Sequence, residues 1–261
     1  METVVKSHLH ESLLTLTLSR PAFLNALTLD MASQLKAELL QAQDNDQVRC
    51  IIIKGDAGHF MAGGDLVYFA GTLSMSEQER HQAGLEAIAL VHETISLIRS
   101  IRKPVLASVQ GAVAGFGVSI LAACDLAIAG ADLKLTSAYC QVGLSPDGGF
   151  TYFLPRMIGE KRAKAVTLLN DVYNAEQVLQ MGLVNQVVPV EQLPENTLLL
   201  AQRLAQVPQH ALAQAKGLIN QSSGHSLEQQ LQAEQESFAG CMLTPDFAQR
   251  VTAFVNKRKS S

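Results

Sequence analysis

The stretch His59-Phe-Met-Ala-Gly-Gly-Asp-Leu66 carries the strongest signal for the fold. It follows the apolar run Cys50-Ile-Ile-Ile53 and a short breaker segment at 54–58, so a buried strand is predicted to end in a glycine-rich turn. Gly63 and Gly64 have no side chains that would separate their backbone amides from a ligand. The pattern therefore predicts a loop that presents N–H groups to a bound molecule at the end of a strand.

A second segment has the same character. It reads Val105-Leu-Ala-Ser-Val-Gln-Gly-Ala-Val-Ala-Gly-Phe-Gly-Val-Ser119, which predicts a strand, then small residues, then the start of a helix. Taken alone, each glycine loop is typical of a tight turn between a strand and a helix. Two such loops side by side could polarise one carbonyl oxygen between them, which is the geometry of an oxyanion hole.

The composition is that of a globular protein with a sizeable core. The 261 residues are 48% hydrophobic and 17% charged, and the net charge of -4 argues against a nucleic-acid partner. Cys50, Cys124, Cys140 and Cys241 form no Cys-x-x-Cys pair, which is typical of a reduced, cytoplasmic protein. We expect no signal peptide, no membrane span and no metal site, because none of the corresponding patterns occurs.

Periodicity and caps predict an α/β core at 1–195 and a helical region at 196–261. Thr28, Ser76 and Asn174 are the predicted N-caps of helices, and only helices are expected after Pro194. The predicted strands are at 13–18, 50–54, 105–109, 126–129, 134–136 and 185–188. The last helices have more apolar positions than one small layer readily buries, which indicates a surface for a partner: Leu227, Leu231, Phe238, Phe247, Val251 and Phe254.

Several segments together resemble the crotonase (enoyl-CoA hydratase/isomerase) superfamily. They occur in the order found in that family, cover nearly the whole chain, and lie at 19–27, 59–66, 103–112, 123–127, 142–149, 175–184 and 254–259. The resemblance implies an α/β fold built as a spiral of ββα units, with a C-terminal helical region for assembly into trimers or hexamers. It also implies an acyl-CoA thioester as substrate, with no separate cofactor because coenzyme A is part of that substrate.

The resemblance further assigns the two oxyanion-hole amides to Ala62 and Phe116. Removing a proton beside a thioester gives an enolate whose charge lies largely on the carbonyl oxygen, so such donors suit the reaction. On the same resemblance, the residues expected around the thioester and the CoA moiety are Arg20, Ala22, Leu24, Ala62, Gly63, Gly64, Asp65, Leu66, Gly115, Phe116, Tyr139, Phe254 and Lys257. Read alone, Asp65 is a predicted helix N-cap and Phe254 is equally typical of helix packing.

The residues at the proton-transfer positions depart from the pattern of the family's hydratases, which use two glutamates. Ser119 and Tyr139 stand at or near those positions, and neither can replace a carboxylate. Asp147, in Ser145-Pro-Asp-Gly-Gly149, stands where several isomerases of the family have their catalytic Asp or Glu. Read alone, Pro-Asp-Gly is a common turn. With the resemblance, Asp147 is predicted to shuttle a proton, its pKa raised by apolar neighbours such as Phe69 and Phe150.

One carboxylate suits a 1,3-proton shift through a dienolate, so the sequence favours an enoyl-CoA isomerase that uses Asp147. Two alternatives stay open. One is an enoyl-CoA hydratase with atypical acid and base groups, and the other is an acyl-CoA-binding protein without catalysis. The sequence does not distinguish a trimer from a hexamer, does not identify the acyl chain, and leaves open whether Ser119 or Tyr139 takes part in the chemistry.

Overall fold

The computed structural model describes the backbone of residues 2–259 and the side chains of residues 2–257. The last residues of the predicted helical region, 260–261, lie outside this range. The strands within it are β1 (Val5–His10), β2 (Leu13–Leu18), β3 (Cys50–Gly55), β4 (Val105–Val109), β5 (Ala112–Ala114), β6 (Leu126–Gly130), β7 (Lys134–Thr136), β8 (Tyr173–Asn174) and β9 (Gln186–Val188).

The α-helices of the same range are α1 (Leu29–Asp44), α2 (Leu66–Thr72), α3 (Glu77–Ser100), α4 (Phe116–Ala123), α5 (Phe150–Ile158), α6 (Glu160–Leu169), α7 (Ala175–Gln180), α8 (Leu193–Ala205), α9 (Gln209–Ser222), α10 (Leu227–Met242) and α11 (Pro245–Lys259). The chain is thus α/β at first and helical from α8 onward, as the sequence predicts. None of these helices is long and apolar enough to cross a membrane.

A mixed six-stranded sheet forms the centre, in the order β1-β2-β3-β4-β6-β9. Only the edge pair β1–β2 is antiparallel, and the other neighbours run parallel. Every residue of β4 and the first four residues of β3 are buried. These strands read as continuous apolar runs because helices cover both faces of a parallel sheet.

Three successive ββα units begin with the strands β3, β4 and β6. Each strand leads into a short extended segment in a second layer, which is Met61 after β3, β5 after β4 and β7 after β6. Met61 pairs with Val113 in β5, and β5 pairs with β7. A helix then begins after each short segment. The carboxyl ends of β3 and β4 therefore deliver their glycine loops to the same edge of the second layer.

The predicted helix caps are confirmed. The Thr28 hydroxyl accepts a hydrogen bond from the amide of Met31 at 3.1 Å, at the start of α1. Ser76 and Glu79 form a reciprocal capping box at the start of α3, and Asn174 caps α7 in the same way. Each cap satisfies amide donors that would otherwise lack partners, which fixes where the helix begins.

Helix α8 packs on the sheet face opposite to the main core. Leu193, Ala201 and Ala205 of this helix form a second apolar cluster with buried residues of the sheet, such as Ile52 and Leu106. The predicted boundary at residue 195 therefore falls inside a helix that covers the sheet.

Helices α9 to α11 leave the sheet and expose apolar side chains. Leu227, Leu231 and Phe238 are more than half exposed, whereas Phe247 and Val251 are somewhat less exposed. One buried contact ties α9 back to the core, where the Lys216 ammonium lies 2.8 Å from Asp125.

Candidate active site

A cavity of about 160 Å³ lies between the two glycine loops and the helices α2 and α3. Its wall is mostly apolar, and the α3 side of it is made by Gly84, Ala87, Ile88 and Val91. The predicted site residues that line it are Ala62, Gly63, Gly64, Asp65, Leu66, Gly115, Phe116, Tyr139 and Asp147. The structure thus brings together residues from distant parts of the sequence.

The two glycine loops touch at Gly63 and Gly115. Both residues have positive φ, +96° and +49°, which a residue with a side chain rarely adopts. A Cβ atom on Gly115 would lie only 3.2 Å from the Cα of Gly63. Met61 exchanges backbone hydrogen bonds with Ala112 and Ala114, which locks the loops together. The residues that follow, Gly64 and Phe116, are therefore held side by side at the cavity.

The structure corrects the assignment of Ala62 as the first amide donor. The Ala62 amide donates to the carbonyl of Leu24 at 3.0 Å, so it is already engaged. Among the described residues, by contrast, the amides of Gly64 and Phe116 have no acceptor. Phe116 is the first residue of α4, where an amide has no partner within the helix. Gly64 and Phe116 therefore each offer an available amide donor at the cavity, one from each glycine loop.

Asp65 braces the first loop. One carboxylate oxygen accepts from the Val67 amide at 2.8 Å and caps α2, while the other accepts from Arg20 at 2.9 Å. Arg20 also donates to the carbonyl of Ala26 at 2.7 Å. The N-cap role was visible in the sequence, but the ion pair with Arg20 was not, because the two residues are far apart in the chain.

Asp147 follows the loop after β7 and is half-buried at the cavity. Its Oδ1 atom accepts a hydrogen bond of 2.6 Å from the Tyr139 hydroxyl. Its backbone carbonyl accepts from the Ser119 hydroxyl at 3.0 Å. Among the described residues, no other residue donates to Oδ2. The two residues that stand at the hydratase glutamate positions therefore both contact Asp147.

Burial raises the pKa of the Asp147 carboxyl above its ordinary value, because the charged form loses solvation. The hydrogen bond from Tyr139 and the charge of His92 act in the opposite direction. Burial also raises the pKa of the Tyr139 hydroxyl well above its ordinary value, and the neighbouring Asp147 carboxylate adds to the effect. Tyr139 is thus a stable hydrogen-bond donor, and Asp147 is the group whose proton can move.

The residues expected along the CoA moiety divide into two groups. Arg20, Ala22 and Leu24 do not line the cavity; Arg20 is engaged by Asp65, whereas Ala22 and Leu24 are exposed beside the first loop. Phe254 and Lys257 lie on α11 and are also exposed. Neither belongs to the cavity lining, so their role in binding stays a prediction.

The sequence reasoning missed the contribution of α3 to the cavity. Residues 84, 87, 88 and 91 recur at helical spacing, which places them on one face of α3. That spacing could have been noticed, but it is equally typical of a helix that packs only against a core. Of the predicted apolar neighbours of Asp147, Phe69 lines the cavity and Phe150 packs edge-on against Tyr139, with 5.6 Å between ring centroids.

This arrangement combines two amide donors with one carboxylate in a mostly apolar cavity. Such a site can hold a carbonyl oxygen, stabilise negative charge that develops on it, and move a proton on a neighbouring carbon. No group of three or more His, Cys, Asp or Glu side chains in the described part of the chain could hold a metal ion.

Comparisons with known proteins identify the family of the chain. The family model for enoyl-CoA hydratase/isomerase matches residues 8–261. A 1,2-epoxyphenylacetyl-CoA isomerase of Escherichia coli is 32% identical, over 99% of this chain and 97% of that protein. A crotonyl-CoA hydratase of Syntrophomonas wolfei is 31% identical, over 96% of this chain and 94% of that protein.

Solved structures give the same result. The crystal structure of an enoyl-CoA hydratase from a Polaromonas species superimposes with a TM-score of 0.91, is 32% identical, and covers 97% of both chains. The predicted α/β fold of the crotonase type is thereby confirmed. The chain belongs to the enoyl-CoA hydratase/isomerase family and is an enzyme of the lyase/isomerase class.

Proposed function

We propose that the protein is an enoyl-CoA isomerase that moves a double bond by a 1,3-proton shift. The observation that carries the proposal is that, among the described residues, one carboxylate lining the cavity is available for proton transfer. Asp147 has one oxygen bound to Tyr139 and one oxygen that no other described residue engages. Asp65, the other carboxylate there, has both oxygens engaged by Arg20 and the α2 amide. A proton shift needs one such group, whereas the two-glutamate hydration chemistry needs two.

The proposed oxyanion hole consists of the amides of Gly64 and Phe116. Both residues line the cavity, and both amides are unengaged within the described part of the chain. The Phe116 amide also lies at the N-terminus of α4, where the helix dipole favours negative charge. Because the donors belong to loops that lock each other, they need no rearrangement when charge develops on the thioester oxygen.

In the proposed reaction, Asp147 takes the proton from C2 of a 3-enoyl-CoA. The electron pair of that C–H bond joins the C3=C4 double bond and the carbonyl in a dienolate, whose charge lies largely on the oxygen facing Gly64 and Phe116. Asp147 then gives the proton to C4, and the double bond is left between C2 and C3. A carboxyl group with a raised pKa suits both steps, since it must accept the proton and later release it.

The names of the relatives support an acyl-CoA thioester as substrate. They include an isomerase and a hydratase, each acting on a CoA ester by its name. On the same ground we propose that no cofactor is needed beyond the CoA of the substrate, and that Arg20, Ala22, Leu24, Phe254 and Lys257 lie near it. A homotrimer or hexamer in the cytoplasm, assembled through the helical region at 196–261, completes the proposal.

A small panel of 2-enoyl- and 3-enoyl-CoAs, followed by mass spectrometry of the products, tests the proposal. Isomerisation leaves the mass unchanged and moves the double bond, whereas hydration adds the mass of one water. We expect 3-enoyl-CoA to be converted to 2-enoyl-CoA without a mass change. Accumulation of a hydrated product as the main outcome would favour the hydratase alternative. Saturable binding of every ester without turnover would favour a binding protein without catalysis.

A further inference from the structure

Tyr139 is held rigidly beside Asp147. The residue before it, Ala138, has a left-handed backbone with φ +60°, and its amide donates to the side-chain oxygen of Asn170. The Tyr139 ring is 7% exposed and packs edge-on against Phe150. A non-glycine residue in this conformation persists only where the surroundings fix it. The ring is therefore fixed by the backbone on one side and by an aromatic contact on the other.

The protons of both neighbouring hydroxyl groups are already committed to Asp147. Tyr139 gives its only proton to Oδ1 of Asp147, and Ser119 gives its only proton to the Asp147 carbonyl. The two hydroxyl oxygens lie 3.5 Å apart, and with both protons used elsewhere neither can donate to the other. Neither hydroxyl can donate to a water or to the substrate without breaking its bond to Asp147.

This geometry leaves Oδ2 as the Asp147 oxygen that can exchange a proton with a substrate. A carboxylate with one free oxygen can carry one proton at a time between two carbons of a substrate. Hydration makes a further demand, because a water must also be held there, lose a proton to a base, and add its oxygen to C3 while C2 gains a proton. The phenol of Tyr139 engages Oδ1 of the carboxylate and so takes the position beside that oxygen where such a water would find a polar partner.

We propose that Tyr139 commits the site to proton transfer and against hydration, by orienting Asp147 through Oδ1 and by excluding water from its side. The inference rests on the proposed isomerase function and extends it. Tyr139 acts in this account as a positioning residue, because it acts through Asp147 and exchanges no proton with the substrate.

The first test measures the protonation of Asp147 without any substrate. Aspartate labelled with ¹³C at the carboxyl group is titrated by NMR in the wild type and in Tyr139→Phe, and Asp147→Asn assigns the signal. Loss of the hydrogen bond removes an interaction that lowers the pKa of Asp147, so the pKa should rise in Tyr139→Phe. The charge of His92, on α3, also lowers the pKa of Asp147, and Tyr139→Phe leaves this residue in place.

Tyr152→Phe is the matched control. Tyr152 lies on α5 outside the cavity lining, is 44% exposed, and has a hydroxyl 2.9 Å from that of Ser223. The same chemical change there should leave the Asp147 titration where it is in the wild type. An Asp147 titration in Tyr139→Phe that coincides with the wild type would overturn the proposed orientation of Asp147.

The second test measures the products. Tyr139→Ala would leave a space beside Asp147 with the unpaired Oδ1 and the Ser119 hydroxyl as polar partners, which is what a buried water requires. We expect the ratio of hydrated to isomerised product to rise at least about tenfold over the wild type, whereas Tyr139→Phe keeps the ring and the wild-type product. An unchanged ratio in folded Tyr139→Ala overturns the exclusion of water.

The two tests separate this inference from the proposed function. A wild-type protein that converts no 3-enoyl-CoA would overturn the isomerase function, while the substrate-free titration would still decide whether Tyr139 orients Asp147. If Tyr139→Ala does not fold, hydrated product in excess of isomerised product from Tyr139→Phe overturns the inference, and its absence supports it.

Discussion

At the scale of single residues, the site depends on glycines that allow two backbones to meet. Gly63 and Gly115 carry the positive φ values, whereas Gly64 does not. The requirement at Gly64 is space, because a Cβ atom there would lie 2.9 Å from the ring of Phe69. The sequence indicated that this glycine pair matters, but only the structure separates the conformational role of the first from the steric role of the second.

Gly64→Val should therefore impair both substrate binding and turnover. The added side chain must displace the ring of Phe69 and crowds the backbone whose amide we assign to the thioester oxygen. If that donor is lost, turnover should fall about 10²–10³-fold. Isothermal titration with a non-reactive acyl-CoA, together with steady-state kinetics, would measure the two effects.

Gly71→Val is the control for that substitution. Gly71 lies on α2, is exposed, and has open space where a Cβ atom would stand. We expect near wild-type kinetics from this variant. Equally small effects of both substitutions would show that the loop at Gly64 is not part of the site.

At the scale of elements, local sequence signals predict the helix caps, whereas contacts between residues far apart in the chain are not predicted. The caps at Thr28 and Ser76 lie within a few residues of the amides that they satisfy, so the sequence alone shows them. The pair of Arg20 with Asp65 joins residues that are far apart in the chain, and no periodicity reveals it. Nor does the sequence reveal that the Ala62 amide is already engaged by a carbonyl from another loop.

The attachment of α9 to the core shows how such a distant pair acts. The Lys216 ammonium lies 2.8 Å from Asp125 and donates to the carbonyls of Ile98 and Lys103 at 3.0 and 3.1 Å. Asp125 also accepts from the Val105 amide, at the start of β4. One buried cation thus joins the helical region to α3 and to the central sheet.

Lys216→Met should lower the free energy of unfolding by about 3–5 kcal/mol, because it leaves Asp125 as a buried charge without its partner. Denaturant titration followed by circular dichroism would measure the loss. Lys216→Met combined with Asp125→Asn should recover part of it, since no unpaired charge then remains. A double variant that is less stable by the sum of the two single losses would contradict this interpretation.

At the scale of the whole molecule, the α/β class and six of the nine described strands followed from the sequence, whereas β1, β5 and β8 did not. The way in which the cavity closes did not, because helical spacing on α3 is the same for a helix that lines a cavity and for one that packs on a core. Nor could the sequence show that α8 covers the second face of the sheet. The apolar positions of α10 were predicted to need a partner, and Phe238 is 70% exposed in the single chain.

Removing the residues from Thr244 onward should therefore weaken assembly and acyl-CoA binding together. The truncation deletes α11, which carries the exposed Phe247 and Val251 and the two residues, Phe254 and Lys257, that we place near CoA. Light scattering at micromolar concentration should give a trimer or hexamer for the intact chain and a smaller mass for the truncated one. A monomeric mass for the intact chain would contradict the proposed assembly.

Asp147 carries the proton in the proposed reaction, and Asp147→Asn tests this role directly. The amide keeps the shape of the side chain but cannot accept a proton at working pH. We expect conversion of 3-enoyl-CoA to 2-enoyl-CoA to be abolished, while titration with the same ester gives an affinity within several-fold of the wild type. Turnover near the wild-type rate in a folded Asp147→Asn protein would contradict the account.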